Sequence, residues 1–249
     1  MHPIRTFTFG SGAVRQTADG VTLSIRDCPP NRYADAQVYD YAGRQRAHYP
    51  CKPPFRLSLR AYASHSAEAM RGTLGFGFWN QPFMPGQAWP RLPRYAWFFF
   101  GGLPHNMTFA LNVPGHGWKA ATADFNSLGF KLLAPMAPLG FLLMRLPRLY
   151  QSLWPYAQRL IHAAEASLAV NLTDPHEYSL DWLPKRVIWR IDGQQVFQSP
   201  YAPRPPLGFI AWIDNQYAII TPQGNLSFGL VEVTGEQWLR VESLRLIEL

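Results

Sequence analysis

The run His176-Glu177-Tyr178-Ser179-Leu180-Asp181-Trp182-Leu183-Pro184-Lys185-Arg186-Val187-Ile188-Trp189-Arg190-Ile191-Asp192-Gly193-Gln194-Gln195-Val196-Phe197 carries the strongest structural signal in the chain. Large apolar residues recur at the two-residue period of a strand: Tyr178, Leu180 and Trp182 alternate with Ser179 and Asp181, and Arg186-Val187-Ile188-Trp189-Arg190-Ile191 continues the pattern. Asp192-Gly193 supplies the residue pair that tolerates positive φ at both central positions of a tight hairpin turn. Two antiparallel strands joined at Asp192-Gly193 follow directly.

The same period extends outward. Thr6-Phe7-Thr8-Phe9, Val21 to Ile25 and Phe55 to Arg60 alternate, with turn residues such as Asp19-Gly20 between them. Gly72 to Trp79, Tyr95 to Phe100 and Met107 to Leu111 are apolar at nearly every position and read as strands buried on both faces. Gly208 to Ile213, Leu226 to Val233 and Trp238 to Ile247 complete a succession of short strands and turns. With 14% aromatic residues, 23 prolines and 19 glycines in 249 residues, the expectation is one all-β domain, a β-sandwich over residues 1–249.

One stretch breaks this rhythm. Gly129 to Val170 contains Pro135, Pro138 and Pro147 and then a helix-like segment in which Leu149, Leu153, Leu160, Ile161, Ala164 and Leu168 recur at helical spacing, with Arg148, Gln151, Arg159 and Glu165 facing water. Leu132 to Met144 is thirteen residues without a charge, flanked by Lys131 and Arg145. That is too short to span a bilayer, which takes about 20 apolar residues. Residues 129–170 therefore read as a partly helical apolar insertion: packing against the sandwich, a lid over a cleft, a patch dipping into a membrane surface, or an oligomer contact.

The hairpin from His176 to Gly193 resembles the late hairpin of glycoside hydrolase family 16, with His-x-Tyr-x-x-x-Trp, a turn, and a strand ending in Asp-Gly. The resemblance extends to Pro206-Leu207, the strand bearing Trp212, and Gly75-Phe76-Gly77-Phe78-Trp79; roughly two thirds of the chain can be laid along it, and Gly129 to Val170 cannot. It implies a concanavalin A-like jelly roll with a cleft over one sheet. That family hydrolyses with carboxylates in a Glu-x-Asp-x-Glu pattern on one strand, whose alternation aims all three side chains into the cleft. The corresponding strand here is Tyr95-Ala96-Trp97-Phe98-Phe99-Phe100, and no Asp or Glu occurs in the 55 residues from Ala69 to Ala123. The usual retaining glycosidase mechanism is excluded from this strand.

An aromatic cleft binds; it does not donate protons. Trp79, Asn80, Tyr95, Trp97, Phe99, Asn106, Trp118 and Trp212 are the candidate ligand-binding residues, for an apolar or amphiphilic small molecule (glycolipid- or isoprenoid-like) or a carbohydrate. The competing reading of each tryptophan is ordinary core packing. An enzyme of altered chemistry, an isomerase, cyclase or hydrolase, would draw on His105, His116 and Asp214 for proton transfer. A lectin-like carbohydrate-binding module is the third reading. No Gly-rich phosphate loop and no metal-ligand spacing occurs, so neither cofactor nor metal is expected. The net charge of +7 is scattered, without the basic block that would suit nucleic acid. Met1 to Gly12 has no apolar leader, and Cys28 and Cys51 are too few for a disulfide framework; the expectations are a cytoplasmic protein, peripheral to a membrane if the insertion docks there, with free thiols.

Overall fold

The computed structural model describes residues 3–82 and 91–249. The strands are β1 (Arg5–Phe9), β2 (Ala13–Gln16), β3 (Gly20–Cys28), β4 (Asp35–Tyr39), β5 (Phe55–Ala63), β6 (Thr73–Trp79), β7 (Arg94–Gly101), β8 (Asn106–Met107) and β9 (Gly117–Asp124). Helices α1 (Leu128–Leu133), α2 (Ala137–Met144) and α3 (Pro147–Leu160) come next. Then follow β10 (Ala164–Ser167), β11 (His176–Trp182), β12 (Val187–Ile191), β13 (Gln194–Ser199), β14 (Gly208–Asp214), β15 (Gln216–Ile220), β16 (Leu226–Leu230) and β17 (Val233–Glu248).

Two seven-stranded sheets face each other, one in the order β1-β4-β14-β6-β7-β9-β10 and the other β13-β12-β11-β5-β17-β3-β2. A small third sheet, β16-β15-β8, stands beside them. The expected hairpin is β12–β13, and both turn residues have positive φ, 52° at Asp192 and 78° at Gly193.

The core between the sheets is aromatic. Phe76, Phe78, Phe98, Phe100 and Trp118 of the first sheet meet Tyr178, Leu180, Trp182 and Trp189 of the second. Phe76 and Phe98 lie edge-on to Tyr178 at 5.1 and 5.0 Å between ring centroids. Since Trp97 and Phe99 alternate with Phe98 and Phe100, β7 is apolar on both faces, and a strand of that kind needs cover on both sides. The second cover is a third layer: α1 to α3 and the loop after β8 lie on the outer face of the first sheet and close a second cluster with Tyr95, Trp97, Phe99, Phe109, Met144, Trp154, Ile161 and Trp212.

Several expectations need correction. Met107 to Leu111 is not a strand; pairing ends at Met107, and the chain then turns over the first sheet. The helical part of the insertion spans Leu128–Leu160, after which β10 rejoins the first sheet as its edge strand. The helical stripe is displaced, because Trp154 and Ile161 are buried with Tyr150 and Ala157 packed against them, while Leu153 and Leu160 are exposed. Glu165, expected at the surface, is 7% exposed. β2, β4, β9, β10 and β15 were not anticipated, and Leu226 to Val233 splits between β16 and β17. As expected, Cys28 and Cys51 are free thiols; both are buried, and the Cys51 thiol donates to Asp40 Oδ2 at 3.4 Å.

Trp118 is also misplaced by the sequence reading. It lies on the inner face of β9, paired with Phe100 and stacked on Phe98, and so belongs to the inter-sheet core and not to a cleft. Trp118→Ala is therefore expected to destabilise the fold by about 3–5 kcal/mol, the cost of emptying a packed aromatic site; chemical denaturation checks this, and a loss below about 1 kcal/mol would contradict the placement.

Candidate functional site

Register across the first sheet defines its outer face row by row. Phe9, Asp35, Asp214, Thr73, Gly101 and Gly117 are successive partners in one row; Gln37, Trp212, Gly75, Phe99 and Lys119 form the next; Tyr39, Ile210, Gly77, Trp97, Ala121 and Glu165 the third. Partners in a pleated sheet point the same way, so these side chains share one surface.

The middle of that surface is an aromatic floor. Tyr95 stacks on Trp97 at 4.0 Å, Trp97 on Phe99 at 5.4 Å, and Trp212 lies 5.4 Å from Trp97. The rings lie flat because the strand beside them is bare. A Cβ on Gly77 would fall 2.5 Å from Trp97 Cβ, and one on Gly75 2.8 Å from the Trp212 ring. The floor is closed by its own chain, with Trp97 9% and Trp212 8% exposed beneath the helices.

A buried ion pair holds that cover down. Lys119 on β9 and Glu165 on β10 meet at 3.2 Å with both side chains almost fully buried. Glu165 Oε1 accepts from the backbone N–H of Phe109 and Ala110 at 2.7 and 3.0 Å, and the Lys119 ammonium donates to the Met107 carbonyl at 2.7 Å. Trp154 of α3 donates its indole N–H to the Phe109 carbonyl at 3.0 Å. Pair, loop and helix thus form one connected strut. Burial pushes the Glu165 carboxyl up and the Lys119 ammonium down, while their mutual contact opposes both shifts.

Next to the floor are two carboxylates from outside the acid-free stretch, Asp214, expected from the sequence, and Asp35, which was not. Asp35 and Asp214 are direct partners on β4 and β14, 4% and 6% exposed. Asp214 Oδ1 accepts from Thr73 Oγ1 at 2.8 Å and the Gln216 N–H at 3.0 Å, and Trp212 Nε1 donates to Thr73 Oγ1 at 3.0 Å. Burial raises the Asp214 carboxyl to about 6; burial, then the neighbouring Asp214 charge, raises Asp35 to about 8.

His105 lies over Gly101, where a Cβ would come within 2.5 Å of its ring, and faces Phe99 at 5.0 Å. Its Nδ1 accepts from the Ala218 N–H at 3.2 Å, which leaves the proton on Nε2, a buried atom without a partner. Burial, then Lys119 and His116, lowers this imidazole to about 4, so it is neutral at physiological pH. Among the described residues Trp97 Nε1 is likewise buried without a partner, as is Trp118 Nε1 in the inter-sheet core.

Among the described residues, no hydrogen bond joins the three expected proton-transfer residues to one another. His105 takes its orienting contact from the backbone, Asp214 is engaged by Thr73 and Gln216, and His116 is exposed on the loop before β9. Asn80 spends its amide on backbone groups, donating to Leu92 O and accepting from Arg94 N, and so ties the ends of the loop whose residues 83–90 lie outside the described residues. Asn106 is exposed and accepts from Thr108 Oγ1. Trp79 sits on the outer face and donates to the Tyr41 hydroxyl at 2.7 Å. Tyr95, Trp97, Phe99 and Trp212 are brought together. Among the described residues, no three His, Cys, Asp or Glu side chains gather as metal ligands.

Against solved structures, the chain is similar to the VIP36 exoplasmic/lumenal domain in its Man3GlcNAc-bound form, at 11% identity over 99% of this chain and 84% of that one, with a TM-score of 0.50. This is a concanavalin A-like jelly roll. Similarity extends to a Bacteroides ovatus mixed linkage glucan GH16 in complex with a G4G4G3G product (11% identity, 98% of this chain, 94% of that chain, TM-score 0.48) and to a sialidase (7% identity, 98% of this chain but only 17% of that chain, TM-score 0.44). No family model and no curated relative matches the sequence. The jelly roll is thus shared at very low identity, and its outer face must be read from its own residues.

Two outcomes test this geometry. Lys119→Met leaves a buried carboxylate without its cation and should cost about 3–5 kcal/mol in a denaturation experiment. The raised carboxyls mean that the folded jelly roll retains protons that the unfolded chain releases near pH 4, so stability present at acid pH is lost as pH rises through about 6 and then about 8. Asp35→Asn is expected to flatten the upper part of that slope; melting temperatures measured across the range check it, and an unchanged slope contradicts the assignment.

Proposed function

We propose that this jelly roll binds an amphiphilic small molecule, glycolipid- or isoprenoid-like, between the aromatic floor and the helices that cover it, and that it is not a retaining glycosidase. The observation that carries the reading is the pair of buried, unpartnered ring N–H groups, Trp97 Nε1 and His105 Nε2, beside a floor of stacked rings. An apolar surface with a few converging polar groups is the usual make-up of a small-molecule site. A buried donor without an acceptor costs about 1–3 kcal/mol, and an oxygen-bearing ligand would recover that energy. The rings supply a flat apolar bed for the rest of the molecule. Entry requires the cover to move, and the strut from Glu165 through Phe109 to Trp154 is what has to yield.

Carbohydrate enters this reading as the polar end of the ligand, in keeping with the sugars named for the VIP36 and Bacteroides ovatus structures. A lectin presents its aromatic rings to solvent, whereas Trp97 and Trp212 are covered here, which favours an amphiphile over a free sugar. A second reading, acid–base chemistry on the same ligand, rests on Asp35 and Asp214: two adjacent carboxyls with raised affinities for protons supply a neutral acid next to a base.

Titration with a panel of isoprenoids and glycolipids, read by tryptophan fluorescence, together with native mass spectrometry of the purified protein, tests the first reading. Saturable quenching is expected, and Trp97→Phe, which keeps an aromatic side chain but removes the pyrrole ring with its N–H, should weaken binding roughly two- to tenfold. No bound molecule and no response across the panel would overturn it. Conversion of a bound compound that stops in both Asp35→Asn and Asp214→Asn would establish the second reading.

A further inference from the structure

The helical insertion has a second face, and the cleft does not use it. Inward, Trp154, Ile161 and Met144 pack on the aromatic floor. Outward, Leu128, Leu132, Met136, Leu139, Leu142 and Leu146 are each between 50% and 71% exposed. The apolar surface continues onto β16, where Leu226 and Phe228 are 62% and 65% exposed. The loop leading into β16 touches α2 directly: Gly224 lies against the Phe141 ring, and Arg145 Nε donates to the Gln223 carbonyl at 3.4 Å. Scattered exposed leucines are ordinary, but a contiguous set of this size marks an interaction surface.

The charges around it narrow the partner. From 125 to 164 the chain contains no Asp or Glu, while Lys131, Arg145, Arg148 and Arg159 all lie at the surface. No helix of the described residues is long and apolar enough to cross a membrane. Short helices with an outward apolar face and only cations around it match elements that lie in the plane of a lipid surface, leucines among the acyl-chain ends and cations at the headgroups. A second copy of this chain would fit poorly, since pairing the two faces would bring two acid-free cationic rims together.

We propose that the outward face of α1 to α3, with the β15–β16 hairpin beside it, docks on the surface of a bilayer containing anionic lipid. The inference is independent of the cleft reading: it uses the opposite side of the helices, and a failed ligand titration leaves it standing. If both hold, the helices cover the cleft on one side and meet the bilayer on the other, so an amphiphile could pass from membrane to floor without crossing water.

Flotation of the full chain with vesicles tests it, using phosphatidylcholine alone and phosphatidylcholine mixed with phosphatidylglycerol. Binding to the mixed vesicles is expected, weaker binding to phosphatidylcholine, and release as salt is raised. Arg148→Gln with Arg159→Gln should weaken binding roughly 25-fold, about fivefold for each charge at a lipid surface. Leu139→Gln with Leu142→Gln should abolish it without altering circular dichroism or melting, because both side chains are already exposed. Wild-type protein that stays free of both vesicle types overturns the proposal, as does vesicle binding that survives the leucine substitutions. A dimer in sedimentation that those substitutions dissociate, with no vesicle binding, would assign the face to a second copy instead.

Discussion

The buried contact between Lys119 and Glu165 is the constraint on which the third layer depends. Two opposite charges on neighbouring strands, out of reach of water, are tolerable only when each is fully engaged. Glu165 meets that requirement by accepting two backbone N–H groups from the loop after β8, and Lys119 by donating to a carbonyl of the same loop. The loop is thereby held against the sheet, and its Phe109 carbonyl in turn receives the indole of Trp154. That chain of contacts ties the helices to the floor they cover.

The floor follows from a substitution of residue type along one strand. In a jelly roll, β7 can aim alternate side chains at a cleft, and here those positions hold Tyr95, Trp97 and Phe99. Rings of that size lie flat only if their neighbours are small, and Gly75, Gly77, Gly101 and Ala121 supply the space. An apolar face that large would not stay open to water, which is why a helical layer rests on it. The outward apolar surface of those helices then passes the same problem one layer further out.

Much of this was legible because it is local. The alternation in Tyr178 to Trp182, the Asp192-Gly193 turn and the doubly apolar β6 and β7 depend on neighbours along the chain. What was missed was non-local. β9 reads Gly117-Trp118-Lys119-Ala120-Ala121-Thr122-Ala123-Asp124, with alanines where strands usually show bulky or β-branched residues. Its small side chains are explained only by the rings and helices packed on either face. β4 begins on an aspartate that is buried because β14 and Tyr33 surround it. Glu165 continued a helical pattern on paper, and only the return of β10 to the sheet turned it inward.

The sequence by itself determined that the chain is an all-β sandwich, that the strand Tyr95 to Phe100 bears rings and no acids, and that residues 129–170 interrupt the β pattern. These are statements about period and residue type, which one strand or one segment expresses alone. Tertiary structure decided which faces those residues occupy: that Trp118 is core, that Trp97 and Trp212 form one floor, that Asp35, Asp214 and Glu165 reach the outer face of the first sheet from distant strands, and that the insertion has an inner and an outer face. Register between strands far apart in the chain sets each of these, and register is a property of the assembled sheet that no single stretch of sequence contains.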